Sequence, residues 1–193
     1  VAIILARTAL LFAENEEKLK ETRYTQPAIV TMSIVLTKLL EEKGIKPEFV
    51  AGHSLGEYSS LGAAGILSES DTVKLTALRG SIMTEVAEKA NGTMAAILGL
   101  DSVKIEEVLK GINGVVEAVN YNEPTQTVIA GEKSAIEDAC VKLKEAGAKR
   151  ALPLPVSGPF HSSLMKPAGD ALKEKFGDFE FKNSDIKFIA NTD

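Results

Sequence analysis

Residues Phe49 to Tyr58 constrain the fold of this chain more than any other stretch. A short apolar run ends in Gly52-His53-Ser54-Leu55-Gly56, and small residues follow it: Ser59, Ser60, Gly62, Ala63 and Ala64. The pattern G-x-S-x-G is that of a nucleophile elbow, where a serine sits on a sharp turn from a strand into a helix. Glycines two before and two after the serine let strand and helix approach without a Cβ clash. The serine oxygen then stands above the sheet, and the helix N-terminus faces any negative charge developing there. A Ser-Gly turn without chemistry is the plain alternative, since so loosely specified a pattern recurs by chance.

The flanks of the elbow read as α/β. Asn15 to Arg23 is polar, a surface helix or loop. Thr25-Gln26-Pro27 signals a helix start, with Pro27 at or near the first position. Ile29, Met32, Ser33, Leu36, Leu39 and Leu40 follow helical spacing up to Gly44, which caps the helix. Pro47 opens the strand that carries the elbow. A further helix starts at Ser68-Glu69-Ser70-Asp71, and Val73, Leu75, Leu78, Ile82, Met83 and Val86 give it an apolar stripe. Arg79 falls at the border of that stripe, where spacing alone predicts a surface residue. Val1 to Ile4 reads as the opening strand of a buried sheet, yet it runs into Leu5-Ala6-Arg7 with no turn residue. Ile186 to Asn191 reads as the closing strand. Together these segments predict a hydrolase-like main body with a parallel sheet, spanning 1–91 and 155–193, with a site above the strand ends.

The middle of the chain has another rhythm. Strands are predicted at Thr93–Gly99, Val115–Asn120, Gln126–Ala130 and Arg150–Leu154, with a turn at Asn122-Glu123-Pro124. Helices are predicted at Asp101–Leu109 and Ser134–Ala146, the second capped by Gly147. The order β-α-β-β-α-β is that of a ferredoxin-like unit, here a subdomain over 92–154 inserted into the main body. A ligand is expected in the cleft between the two. Beyond it, Val156 to Ser162 is a loop with two chain-breaking residues and a histidine, and Leu164 to Phe176 reads as a helix despite Pro167.

Composition narrows the class of partner. A net charge of −5 over 193 residues gives no basic surface for nucleic acid or an acidic membrane. No run approaches the ~18 apolar residues of a membrane span, and Val1 to Phe12 lacks the order of a signal peptide. The single cysteine, Cys140, allows no intramolecular disulfide or cysteine zinc site, which suits a reducing compartment; a small core residue is its plain reading. Cytoplasmic localisation is expected, with no metal and no cofactor.

A serine at neutral pH needs a base. Of the two histidines, His53 is adjacent to Ser54, and adjacent side chains in a strand-turn point apart. His161, in the glycine-proline loop, is the base by elimination; a surface loop histidine is the alternative. No Asp or Glu stands out as its orienting acid.

Tyr24-Thr25-Gln26-Pro27-Ala28, Ala51 to Tyr58, Leu78-Arg79-Gly80, Asn120-Tyr121-Asn122, Val128-Ile129-Ala130-Gly131 and Pro155 to Ser162 recur together in one family. Over about residues 24–193 the chain resembles the malonyl-CoA:acyl carrier protein transacylases and the acyltransferase domains of fatty-acid and polyketide synthases. The resemblance implies a two-step exchange through a malonyl ester on Ser54, with His161 shuttling the proton. It implies Leu55 N–H as one oxyanion donor and Arg79 as partner of the free malonyl carboxylate. Phe160 would exclude a 2-methyl branch, and Gln26 would line the pocket. The expected partners are coenzyme A thioesters and acyl carrier protein, with Lys149, Arg150 and Lys166 as docking candidates, though solvated surface charge is the plainer reading of each. A monomer is expected. Two features of the family are missing from this sequence: the G-Q-G loop after its first strand, and the segment beyond the strand matching Ile186–Asn191. Both are expected to belong to the protein, a true truncation being the alternative. A serine hydrolase or thioesterase using the same elbow, and a non-catalytic carrier-protein-binding module, are the rival readings.

Overall fold

The structure, a computed structural model, describes residues 16–192. The strand predicted at Val1–Ile4 and its abrupt junction lie outside these residues. The chain divides into two compact units. One runs up to Ile82 and resumes at Ala171; the other is Met83–Asp170.

In the first unit, helices α1 (Glu16–Lys20) and α2 (Thr22–Glu42) lead to strand β1 (Phe49–Ala51) and helix α3 (Leu55–Ala63). Helix α4 (Glu69–Ala90) follows, its residues up to Ile82 belonging to this unit. Strand β6 (Lys187–Ile189) pairs with β1 in parallel, Val50 opposite Phe188. Leu67, Leu75 and Leu172 form the buried centre, with Tyr58, Leu61, Leu78, Ile82 and Phe179 packed round them.

Helix α2 departs from expectation. Pro27 sits inside the helix, in its second turn, and the chain enters at Thr22. The periodic residues Ile29, Met32, Leu36, Leu39 and Leu40 face outward, each about half exposed. Gln26, Pro27, Ala28, Val30 and Thr31 are the buried ones. Thr31 goes inside at little cost because its hydroxyl donates to the Pro27 carbonyl one turn back, at 2.6 Å. Among the described residues the parallel sheet has only two strands, too narrow to cover the apolar stripe. An open groove of about 660 Å³ runs beside β1, lined by Ile29, Leu40, Phe49, Leu55 and Gly56 among others.

The second unit is an antiparallel sheet with helices on one face. Its strands are β2 (Gly92–Leu98), β3 (Val116–Glu123), β4 (Gln126–Glu132) and β5 (Arg150–Pro153), in the spatial order β3-β4-β2-β5. Helices α5 (Ser102–Leu109) and α6 (Lys133–Glu145) connect them. Side chains alternate across a strand, so Ala95, Ile97 and Ile129 meet Ile105, Leu109, Ile136 and Leu143 on the helix-covered face. Met94, Ala96, Val128 and Ala130 point the other way, where Leu154 and Phe160 pack on them. The β3–β4 turn is tighter than the sequence suggests: the strand continues through Glu123, leaving Pro124-Thr125 as the turn. Asp101 caps α5, accepting from Val103 N–H at 2.9 Å. Beyond Ser163–Met165, a 3-10 turn, comes α7 (Lys166–Lys175). Pro167 is its second residue, where a missing N–H costs nothing.

Candidate active site

β1 ends at Ala51 and α3 begins at Leu55, so three residues make the turn. Ser54, at its apex, has φ 51 and ψ −104, a strained backbone for any residue with a Cβ. Gly52 makes the turn possible: a Cβ there would stand 2.0 Å from the Gly56 carbonyl carbon and 2.1 Å from its oxygen. Gly56 plays no reciprocal part, since a Cβ added to it meets nothing within 4 Å. Gly56 N–H donates to the His53 carbonyl at 2.9 Å and Glu57 N–H to the Ser54 carbonyl at 3.2 Å. Leu55, as the first helical residue, has no carbonyl within the helix for its N–H. His53 is exposed.

Arg79 is not on the surface. It is 9 % exposed, and α4 turns it toward the elbow. Its Nη1 donates to Gln26 Oε1 at 2.6 Å, its Nη2 to Ser54 Oγ at 3.3 Å, and its Cζ lies 5.2 Å from the centre of the Tyr58 ring. Three of the residues singled out in the sequence, Gln26, Ser54 and Arg79, are thus one hydrogen-bonded group. Burial disfavours the guanidinium charge, and Tyr58 and Glu57 oppose that shift. Burial also raises the Tyr58 phenol, while the Arg79 charge pulls it back down. Arginine keeps its proton in any such environment, so the site holds a permanent positive charge hydrogen-bonded to two neutral side chains.

Two contributors were not singled out in the sequence. Tyr58 lies in the first turn of α3, four residues past Ser54, with its ring against the Arg79 guanidinium. Asn191 lies just past β6. Its Oδ1 accepts from Ser54 N–H at 2.6 Å, its Nδ2 donates to the Gly52 carbonyl, and its own N–H donates to Glu57 Oε1 at 3.0 Å.

His161 and Phe160 belong to the second unit. His161 is exposed and has φ 67, a left-handed backbone unusual for a residue with a side chain. The loop around it is pinned at several points. Ser162 Oγ donates to the Pro159 carbonyl at 2.6 Å, and Ser163 N–H donates to Glu117 Oε2 at 2.7 Å. Gly158 lies so close to Ala87 that a Cβ on it would stand 2.4 Å from the alanine methyl. Phe160 is half-buried on the open face of the sheet. Lys149, Arg150 and Lys166 are exposed, and Lys166 pairs with Asp170 at 2.6 Å.

The chain belongs to the acyl transferase domain family, whose profile matches residues 7–193. Within that family it is similar to malonyl CoA-acyl carrier protein transacylases. That of Bacillus subtilis is 45% identical over 187 residues, 95% of this chain and 59% of the relative; that of Escherichia coli K12 is 46% identical over 182 residues, 92% and 58%. The chain therefore spans somewhat over half the length of these curated relatives. Among solved structures, a malonyl-transacylase in complex with its type II PKS acyl-carrier protein superposes with a TM-score of 0.94 at 42% identity. An acyl carrier protein S-malonyltransferase from Vibrio cholerae gives 0.92, also at 42%. In both cases all of this chain and 64% of the other are covered. No described helix is long and apolar enough to cross a membrane.

Proposed function

We propose that this chain carries the reacting centre of a malonyl-CoA:acyl carrier protein transacylase serving fatty-acid or polyketide synthesis. Ser54 Oγ attacks the thioester carbonyl of malonyl-CoA while His161 takes its proton. The tetrahedral oxyanion is held by Leu55 N–H; the loss of one such donor typically costs ~10²–10³ in rate. Collapse expels the coenzyme A thiolate, which takes the proton from His161 and leaves a malonyl-serine ester. The pantetheine thiol of acyl carrier protein then gives its proton to His161 and attacks the ester carbonyl. Collapse breaks the bond to Ser54 Oγ, which takes the proton back from His161, and the carrier protein leaves as the malonyl thioester. This cycle calls on no metal or cofactor.

The observation that carries this reading is the buried Arg79, hydrogen-bonded to the nucleophile at 3.3 Å and to the neutral amide of Gln26. A fixed cation beside the serine fits an acyl group ending in a carboxylate, which a guanidinium meets through two hydrogen bonds. Gln26 holds the guanidinium, and Phe160 limits bulk at the acyl α-carbon. The strand order β3-β4-β2-β5 with two connecting helices supports a ferredoxin-like reading of the second unit. Acyl carrier protein and coenzyme A thioesters are the proposed partners, for a cytoplasmic monomer.

The test is incubation with malonyl-CoA followed by intact mass measurement. A malonyl adduct on Ser54 that persists until acyl carrier protein is added is expected. In Arg79→Ala, malonyl acylation falls by ~10² while acetyl acylation rises relative to it, because a buried charge pair broken on one side costs about 2–5 kcal/mol. An adduct lost quickly to water marks a hydrolase. No adduct with carrier protein still bound marks a binding module.

A further inference from the structure

We propose that Asn191 is a positioning residue for the nucleophile, its side-chain amide replacing one rung of β-ladder at the elbow. In a parallel ladder a residue donates its N–H to the residue before its opposite number and accepts from the N–H of the residue after it. β1 and β6 pair as Phe49 with Lys187, Val50 with Phe188 and Ala51 with Ile189. Extended two residues further, that register sets Asn191 opposite His53. Its backbone would then donate to the Gly52 carbonyl and accept from Ser54 N–H. The structure makes both of these bonds through the side chain instead: Asn191 Nδ2 donates to the Gly52 carbonyl, and Oδ1 accepts from Ser54 N–H at 2.6 Å.

A primary amide suits this substitution because it carries a donor and an acceptor in the planar arrangement of a peptide unit. The exchange also releases the Asn191 backbone, whose N–H donates to Glu57 Oε1 in the first turn of α3 at 3.0 Å. One residue therefore grips the elbow on both sides of His53 and ties it to the helix that follows. Ser54 holds a backbone conformation that persists only where its surroundings over-determine it. The Asn191 rung supplies that determination, fixing the direction of Ser54 Oγ and of Leu55 N–H.

The inference rests on the proposed acyl transfer only for the choice of acyl donor, so two probes of Ser54 are used on the intact protein. One is malonyl-CoA; the other is a fluorophosphonate, which phosphonylates an activated serine with loss of fluoride, whatever the natural substrate. Single-turnover rate constants are read by mass, since they report the folded molecules alone. Asn191→Ala is expected to slow both reactions by about 10–100-fold, the scale of an ångström-level misplacement, with KM for malonyl-CoA changed less than about threefold. Asn191→Asp adds a pH signature. Its ionised carboxylate cannot donate to the Gly52 carbonyl, whereas its protonated form offers both a donor and an acceptor. The ratio of variant to wild-type rate should therefore rise as pH falls; Glu57, which accepts from the backbone N–H of residue 191, and His53 and His161 are present in both proteins. If Asn191→Ala does not fold, the Asp ratio decides.

Rates within about threefold of wild type in both variants, a flat ratio across pH, or a loss confined to KM would overturn the proposal. A wild-type Ser54 labelled by fluorophosphonate but not by malonyl-CoA removes the transacylase reading and leaves Asn191 to be judged on the phosphonate. A serine that neither probe labels removes both.

Discussion

The two glycines of the elbow should respond in opposite ways to the same added methyl group. In Gly52→Ala the new Cβ falls 2.0 Å from the Gly56 carbonyl carbon, 2.1 Å from its oxygen and 2.4 Å from Glu57 N. All three are backbone atoms, so no side chain can swing aside. Reaching even a tight 3.0 Å contact moves the first turn of α3 away by about 1 Å, and a shift of that size at a reacting centre costs ~10²-fold in rate. Overpacking of this kind costs ~1–3 kcal/mol, and each kcal/mol lowers Tm by about 2–4 °C in a chain of this size. In Gly56→Ala the Cβ enters open space within a helix, where alanine is preferred by up to ~0.8–1.0 kcal/mol. That variant should melt at the wild-type temperature or a few degrees above it. Thermal melts and the rate of Ser54 acylation, measured side by side, separate the two. If Gly52→Ala matched wild type in both, or if Gly56→Ala were equally damaging, steric contact at position 52 could not be what shapes the turn.

Thr127 is fully buried and its hydroxyl has no hydrogen-bond partner among the described residues, so Thr127→Val should raise stability by about 1 kcal/mol, read as a Tm increase of a few degrees. Burial raises the Cys140 thiol above its ordinary range, with Lys144 only partly offsetting it. Its thiolate fraction at mildly alkaline pH is then below that of a free cysteine, and iodoacetamide should alkylate it more slowly in the native protein than after unfolding; equal rates would contradict this.

Within the second unit, the elements from β2 to β5 were legible to within three residues at each end. Its strands and helices are short, most of their ends lie beside Gly, Asn, Asp or Pro, and the information that ends them is local; the exception is Glu132-Lys133, where β4 runs straight into α6. The elbow was legible for the same reason, down to the need for glycine at 52. Helix α4 was harder to read because its buried side includes Thr72, Thr76, Arg79 and Thr84, which an apolar count scores as surface. The first two threonines hide their hydroxyls by donating one turn back, to Ser68 and Thr72 carbonyls at 2.9 and 2.7 Å. Arg79 is compensated by Gln26, far away in the chain, so only the family resemblance foretold its burial. Asn191 had no local signal at all. Its partners lie in the elbow, and nothing in Ile189-Ala190-Asn191-Thr192 distinguishes it from an ordinary turn residue. Pro27 was misread because a Thr-Gln-Pro start signal and a proline in the second turn look alike in sequence; α1 and the start of α2, rich in charge, hid the true entry point.

Phe160 joins two properties that are usually adjusted separately. Its ring contributes to the packing over Met94, Ala96, Val128 and Ala130, and in the proposed transacylase it also limits the size of the acyl group. Trimming that ring to admit a bulkier thioester would strip cover from a β-sheet face. On that proposal a widened substrate range at this position comes with a looser sheet, and a lineage or an engineer trimming the ring would need a compensating change beneath it.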